Sequence, residues 1–254
     1  MPEVLAQSIQ LFKTMKSLKS ISTFTCVFAL TACGGGGGGS SGVAPTTPTA
    51  FPVYSAMAAA YKGGLQKTLT LSGTASNNGS ANLAVTGSLT LSIGATVSSV
   101  FEGAAALQSS LSANGTVSLG GQTAPISSQS LIFLSPSYEM VGVTYAGAHC
   151  VATTKGIFPA TLTVGQSGGI GEYVCYTNST KTSSIGKRVL EYSTTQGDSA
   201  EKINFKVSES YYDATGKLNS REGTTYTITV GGLATIGQYF IQSSGSTTLD
   251  LVGQ

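Results

Sequence analysis

Apolar and polar residues alternate at period two from Lys67 onward, and this pattern constrains the fold more than any other feature of the chain. In Lys202–Tyr212, Ile203, Phe205, Val207 and Tyr211 fall on one face. Lys202, Asn204, Lys206 and Ser208 fall on the other. In Arg221–Val230, Thr224, Tyr226, Ile228 and Val230 oppose Arg221, Thr225, Thr227 and Thr229. Successive side chains of a strand point to opposite sides, so these segments read as strands with one buried and one wet face. Thr, Val, Ile and Tyr suit a pleated surface. Asn78-Gly79, Asn114-Gly115, Asp213-Ala214-Thr215-Gly216 and Gly231-Gly232 read as hairpin turns, and Gln196-Gly197-Asp198 as a further break.

The expected fold is therefore all-β. It is an antiparallel sandwich or a pair of curved antiparallel sheets, with a C-terminal meander over 186–195, 201–212, 217–230 and 233–242. A closed barrel satisfies the same pattern. A membrane-spanning barrel does not, because it needs repeated lipid-facing strands with aromatic girdles. Tyr54–Gly64 is the one helix candidate, with a short edge strand as the alternative. Charge steps up along the chain. Only Lys62, Lys67, Glu102 and Glu139 are charged between Phe51 and Tyr145, against fourteen residues between Glu172 and Glu222. This step allows a subdomain boundary near 135, although one sheet system over 51–254 is simpler.

Charged residues make up 9% of the chain, against about 25% in an ordinary globular protein. From Cys33 onward there are ten Lys/Arg and ten Asp/Glu. A balance near zero leaves no electrostatic footprint for nucleic acid, so no nucleic-acid partner is expected.

The N-terminus has the layout of an export signal. Lys16 and Lys19 precede an apolar core, Ile21 to Leu30, which is too short to span a bilayer. Leu30-Thr31-Ala32-Cys33 then closes the segment. This ending resembles the lipobox of bacterial lipoproteins. The resemblance covers about twenty residues and says nothing of the mature domain. It implies a signal peptide over 1–32, with 1–14 upstream of a better start at Met15. It also implies cleavage before Cys33, lipidation of Cys33, and membrane lipid as a partner through the acylated end. Gly34 rather than Asp at the next position implies the outer membrane, on a face left open. Residues 34–50, "GGGGGGSSGVAPTTPTA", read as a flexible tether spanning roughly 20–25 Å as a coil.

Cys26 leaves with the signal and Cys33 takes lipid, so Cys150 and Cys175 remain. An even pair in an oxidising compartment points to a disulfide, with Cys150 ending one strand and Cys175 in a strand over 171–178. A metal site is poorly supplied, since there is one histidine and no Cys-x-x-Cys.

His149-Cys150 and Gly165-Gln166-Ser167-Gly168-Gly169 resemble short motifs of trypsin-like serine proteases. Chain order and spacing argue against the likeness. Only fourteen residues separate Cys150 from Gly165, no Asp precedes Asp198, and Gln166 stands where that family has its Asp. A strand-like segment follows Ser167, whereas an α/β-hydrolase places a helix after its serine. The segment reads better as a loop whose glycines 165, 168, 169 and 171 supply positive φ. Glu209 and Glu222 could meet on adjacent strands but read as solvated charges, and Tyr192, Tyr211, Tyr212, Tyr226 and Tyr239 read as packing residues with hydroxyls at the rim. The expectation is a lipid-anchored envelope protein, non-enzymatic, binding or structural, with no cofactor and an unspecified protein or glycan partner. A periplasm-facing carrier or assembly factor for an apolar ligand comes second, and a Ser167 hydrolase third.

Overall fold

The computed structural model describes residues 49–77, 82–243 and 247–254. The proposed signal, Cys33, most of the tether and the Asn78-Gly79 turn lie outside these residues. The described chain opens with a helix, α1 (Val53–Gly63). Thirteen strands follow: β1 (Leu65–Asn77), β2 (Leu83–Ile93), β3 (Val97–Phe101), β4 (Ala104–Leu119), β5 (Gln122–Leu134), β6 (Met140–Tyr145) and β7 (Ala148–Gly156). The second half supplies β8 (Ser167–Tyr176), β9 (Ser184–Gln196), β10 (Lys202–Asp213), β11 (Leu218–Thr229), β12 (Ala234–Ser243) and β13 (Thr247–Gly253).

All pairings are antiparallel, and nearly all join neighbours in sequence. β1 pairs with β13 from Leu71↔Gly253 to Asn77↔Thr247, and β2 pairs with β4 from Val85↔Leu119 to Ile93↔Leu111. Those two ladders close twelve strands into an up-and-down barrel. The sheet curves until its edges meet, rather than folding into the two layers of a sandwich. β5 and β6, on either side of 135, are paired, so the sheet runs through that point. β3 stands outside the ring. After a kink at 94–96 it continues along the β4 edge that β2 has left, from Val97↔Gln108 to Phe101↔Ala104.

Closure explains one departure from the sequence reading. Asn114-Gly115 lies inside β4, opposite Leu89 and Thr90, and the turn falls at Gly120-Gly121 instead. A Cβ on Gly115 would meet the Ser88 carbonyl oxygen at 1.9 Å, and one on Gly87 would meet that of Thr116 at 2.1 Å. The two backbones approach too closely for a side chain, which is one use of glycine inside a strand. The meander strands fall within two residues of expectation, and Asp213 holds its turn by accepting from the Thr215 and Lys217 backbone N–H groups.

Outward positions carry Thr68, Thr70, Ser72 and Thr74 on β1, and Thr86 and Ser88 on β2. Inward positions carry Leu69, Leu71, Val85, Leu89 and Leu91, all buried, with buried or half-buried apolar counterparts around the ring. The wall is thus polar outside and apolar inside, the reverse of a lipid-embedded barrel.

Eight strands make a barrel that side chains alone can fill, whereas twelve leave a wider lumen. One end of that lumen is closed by α1. Val53, Ala56, Met57, Ala60 and Tyr61 are buried, on the i, i+3, i+4 spacing of one helix face. The β7–β8 connection helps: Phe158 and Leu162 are buried, and Leu162 exchanges backbone hydrogen bonds with Phe51. The described chain enters at this plugged end. The other end carries the turns at 146–147 and 214–217 and the β8–β9 connection at 177–183, and it is open.

Candidate functional site

Three inward positions on adjacent strands of the C-terminal meander carry charge. Arg188 is on β9, Glu209 on β10 and Glu222 on β11. Glu209 and Glu222 are direct cross-strand partners, and both face the lumen. They correct the reading of these carboxylates as solvated charges: Glu222 is 5% exposed, and the Glu209 side chain 16%. The alternation already implied it, since Glu209 shares the parity of Ile203, Phe205 and Val207, and Glu222 that of Thr224, Tyr226 and Ile228.

Arg188 Nε forms an ion pair with Glu209 Oε1. The Arg188 guanidinium also lies over the rings of Tyr211 and Tyr145, 4.9 and 5.4 Å from their centroids. Its Nη2 donates to the Tyr211 hydroxyl at 3.0 Å. That hydroxyl is 2.6 Å from Glu222 Oε1 and 2.9 Å from Glu209 Oε2. The Tyr239 hydroxyl donates to Glu222 Oε2 at 3.0 Å.

Proton counting then constrains the cluster. Tyr211 has one hydroxyl proton and cannot donate to both carboxylates. A proton on Glu222 would supply the second bond and leave Arg188 and Glu209 as a neutral pair. Electrostatics push the same way. Burial, and then the neighbouring Glu209 charge, raise the Glu222 carboxyl above the usual range. Burial opposes the Arg188 charge, but Glu209 and then Tyr211 more than offset it, so the guanidinium is held more firmly protonated. Burial also pushes the Tyr211 and Tyr239 hydroxyls well up, and that of Tyr226 to about 12.

This belt separates two spaces. Toward α1, a space of about 80 Å³ is lined by Met57, Tyr61, Ile132, Phe158, Leu190 and Tyr226 among others, with the charged belt at its side. A cavity that binds benzene is nearer ~150 Å³, so the inner space is too small for an apolar ligand of any length. Toward the open end, a cavity of about 310 Å³ is lined by Tyr145, Ile185, Lys187, Arg188, Tyr211, Tyr212, Asn219, Ser220, Glu222 and Ile241 among others. It falls in the size range of small-molecule sites, roughly 300–1,000 Å³. Cys175 lines it too. The Cys150–Cys175 disulfide joins directly paired residues of β7 and β8 and braces this part of the wall. Cys150 lies inside β7 rather than ending a strand.

His149 and Ser167 are not brought together. His149 pairs with Tyr176, and Ser167 begins the same strand nine residues away. At ~3.3 Å per residue they stand roughly 25–30 Å apart. Ser167 is exposed at the plugged end. Of the four glycines expected at positive φ, Gly165 alone has it, at 87°. The β7–β8 connection is held by Thr194, whose hydroxyl accepts from the Gln166 N–H at 2.8 Å and donates to the Thr163 carbonyl at 2.8 Å. Gln166 thus ties this connection to β9, and Ser167 begins β8 opposite Ser193.

His149 has other partners, on the outer wall. Its Nε2 is 2.6 Å from Glu102 Oε1, and its ring stacks on Phe101 at 5.2 Å. Glu102 also pairs with Lys181, and Lys181 and then His149 hold the Glu102 carboxyl below its usual range. Phe101 packs on Phe133 at 4.4 Å, in a small apolar cluster that ties the β3–β4 turn to the barrel wall. No local signal could have shown this contact, because the residues come from distant parts of the chain.

Comparison with protein-family models, with curated proteins and with solved structures gave no significant match.

Proposed function

We propose that this chain is a lipid-anchored protein of the bacterial cell envelope whose barrel binds a small molecule at its open end and performs no catalysis. The observation that carries the reading is the mouth cavity of about 310 Å³, floored by a buried cluster of one arginine, two carboxylates and tyrosine hydroxyls. Apolar walls with a few convergent polar groups are the usual make-up of a ligand site. Polar groups buried this deeply cost stability unless fully paired, so a structural barrel gains little from them.

The geometry adds a direction. The described chain enters at the α1 end, and the cavity opens at the opposite end. An anchor at Cys33 on the 34–50 tether would thus attach to the barrel at the end opposite the mouth. Supporting the envelope address are the export-signal layout and the lipobox-like Leu30–Cys33.

A library of small fragments of mixed charge, read through the methyl NMR signals of Ile185 and Ile241, tests the binding reading. Fragments that shift both methyls support it. Hits confined to the outer wall, or none of any charge, would sink it.

A further inference from the structure

The ligand's chemistry can be narrowed, on the premise that the mouth is a binding site. The guanidinium of Arg188 is 6% exposed as a residue and reaches both spaces. Its Nε faces Glu209 and its Nη2 donates to Tyr211, but among the described residues Nη1 has no hydrogen-bond partner. A buried charged donor left unpaired is costly, so the guanidinium beneath the cavity keeps positive charge that an anion arriving in the mouth would offset. Other charges decide which oxygen. The mouth wall carries Arg188 and, at its rim, Lys187. Its one carboxyl, Glu222, is already engaged by two tyrosine hydroxyls. Glu209 lies on the inner side of the belt and lines only the inner space. Tyr145, Tyr211 and Tyr212 supply flat walls, with Ile185 and Ile241 as apolar flanks.

We propose that the mouth cavity recognises a small organic carboxylate, held by the Arg188 guanidinium at the cavity floor and Lys187 at its rim, with its apolar or aromatic body against Tyr145, Tyr211 and Ile241.

A second consequence concerns protons. Glu222 is faced by Arg188 of β9, Glu209 and Tyr211 of β10, Tyr239 of β12 and Tyr145 of β6, with Lys187 at the rim. An anion beside Arg188 adds to the negative charge near Glu222 and so favours its protonated form. Carboxylate binding is then coupled to proton retention at Glu222, and affinity falls as pH rises through its titration.

Three matched probes test the proposal on the purified protein: benzoate, its neutral amide benzamide, and the cation benzylammonium. Titration followed by calorimetry and by the Ile185 and Ile241 methyl signals should give benzoate at least tenfold tighter binding than benzamide and no binding of benzylammonium. Arg188→Lys, which keeps the charge but loses the fork, should weaken benzoate at least tenfold while circular dichroism stays unchanged. If that variant does not fold, Glu222→Gln provides the second route. It should remove the decline of benzoate binding with rising pH, and a decline that persists in this variant would overturn the coupling. Benzamide or benzylammonium binding as well as benzoate would overturn the carboxylate assignment while leaving the binding reading intact. The same holds if none of the three probes binds but other fragments shift the mouth methyls. No response to any fragment would remove both.

Discussion

Removing Arg188 should be among the most damaging single changes available to this barrel, and the damage should be reversible by a second change. Arg188→Met roughly preserves volume and apolar stem but leaves Glu209 in the lumen without its counter-charge. It also strips the Tyr211 hydroxyl of a donor. Breaking one side of a buried ion pair costs about 3–5 kcal/mol. For a domain of this size that is a fall of roughly 6–20 °C in melting temperature, at about 2–4 °C per kcal/mol. Adding Glu209→Gln removes the uncompensated charge, so the double variant should recover most of the loss. Urea denaturation followed by circular dichroism measures all three stabilities. A loss under ~1 kcal/mol for Arg188→Met, or no recovery in the double variant, would show that the pair is not buried in the lumen as described.

Four further outcomes follow from other parts of the molecule. Burial, and then Glu209, raise the Glu222 carboxyl above its unfolded range, so its stabilising contribution is full below the ordinary carboxylate range and lost as pH rises through the raised native value. Glu222→Gln should flatten that part of a stability–pH profile, and an unchanged slope would assign it to another group. Replacing Cys150 and Cys175 by Ala opens a loop of 25 residues and should cost about 3 kcal/mol, read as a lowered denaturation midpoint that added reductant no longer shifts. A Cβ on Gly142 would lie 2.1 Å from the Phe101 ring, so Gly142→Ala should cost about 1–3 kcal/mol by overpacking and raise hydrogen exchange in the 97–101 segment. Cys33→Ser should abolish acylation and move the protein from the detergent phase to the aqueous phase, and continued membrane retention would count against the anchor.

Much of the fold was legible because strand alternation is local. A period of two in Lys202–Tyr212 and Arg221–Val230 fixes which residues share a face, and Asp213–Gly216 and Gly231-Gly232 mark the turns between strands. The same pattern serves a sandwich and a barrel equally. What separates them is whether β1 finds β13, some 180 residues later, and no local signal encodes that pairing. Asn114-Gly115 misled for a related reason: its glycine answers a close approach by a strand that sequence proximity does not reveal. The site was half legible. Parity already placed Glu209, Glu222, Tyr211 and Tyr226 on the inner face, yet a carboxylate on an apolar face reads as an exposed charge until its counter-ion is known. Arg188 supplies that counter-ion from β9, which reaches Glu209 only through the sheet register. His149 and Ser167 show the converse. Their motifs are local, and the strand between them holds them apart.

The most direct test of the account is a plug placed in the mouth. Ile185 is 38% exposed and lines the open cavity, so Ile185→Trp should fill the entrance without touching the core. Using whichever fragment binds the wild-type protein most tightly, binding to this variant should fall at least tenfold while the melting temperature stays within a few degrees. Undiminished binding in a folded Ile185→Trp protein would place the ligand elsewhere and contradict the open end of the barrel as the site.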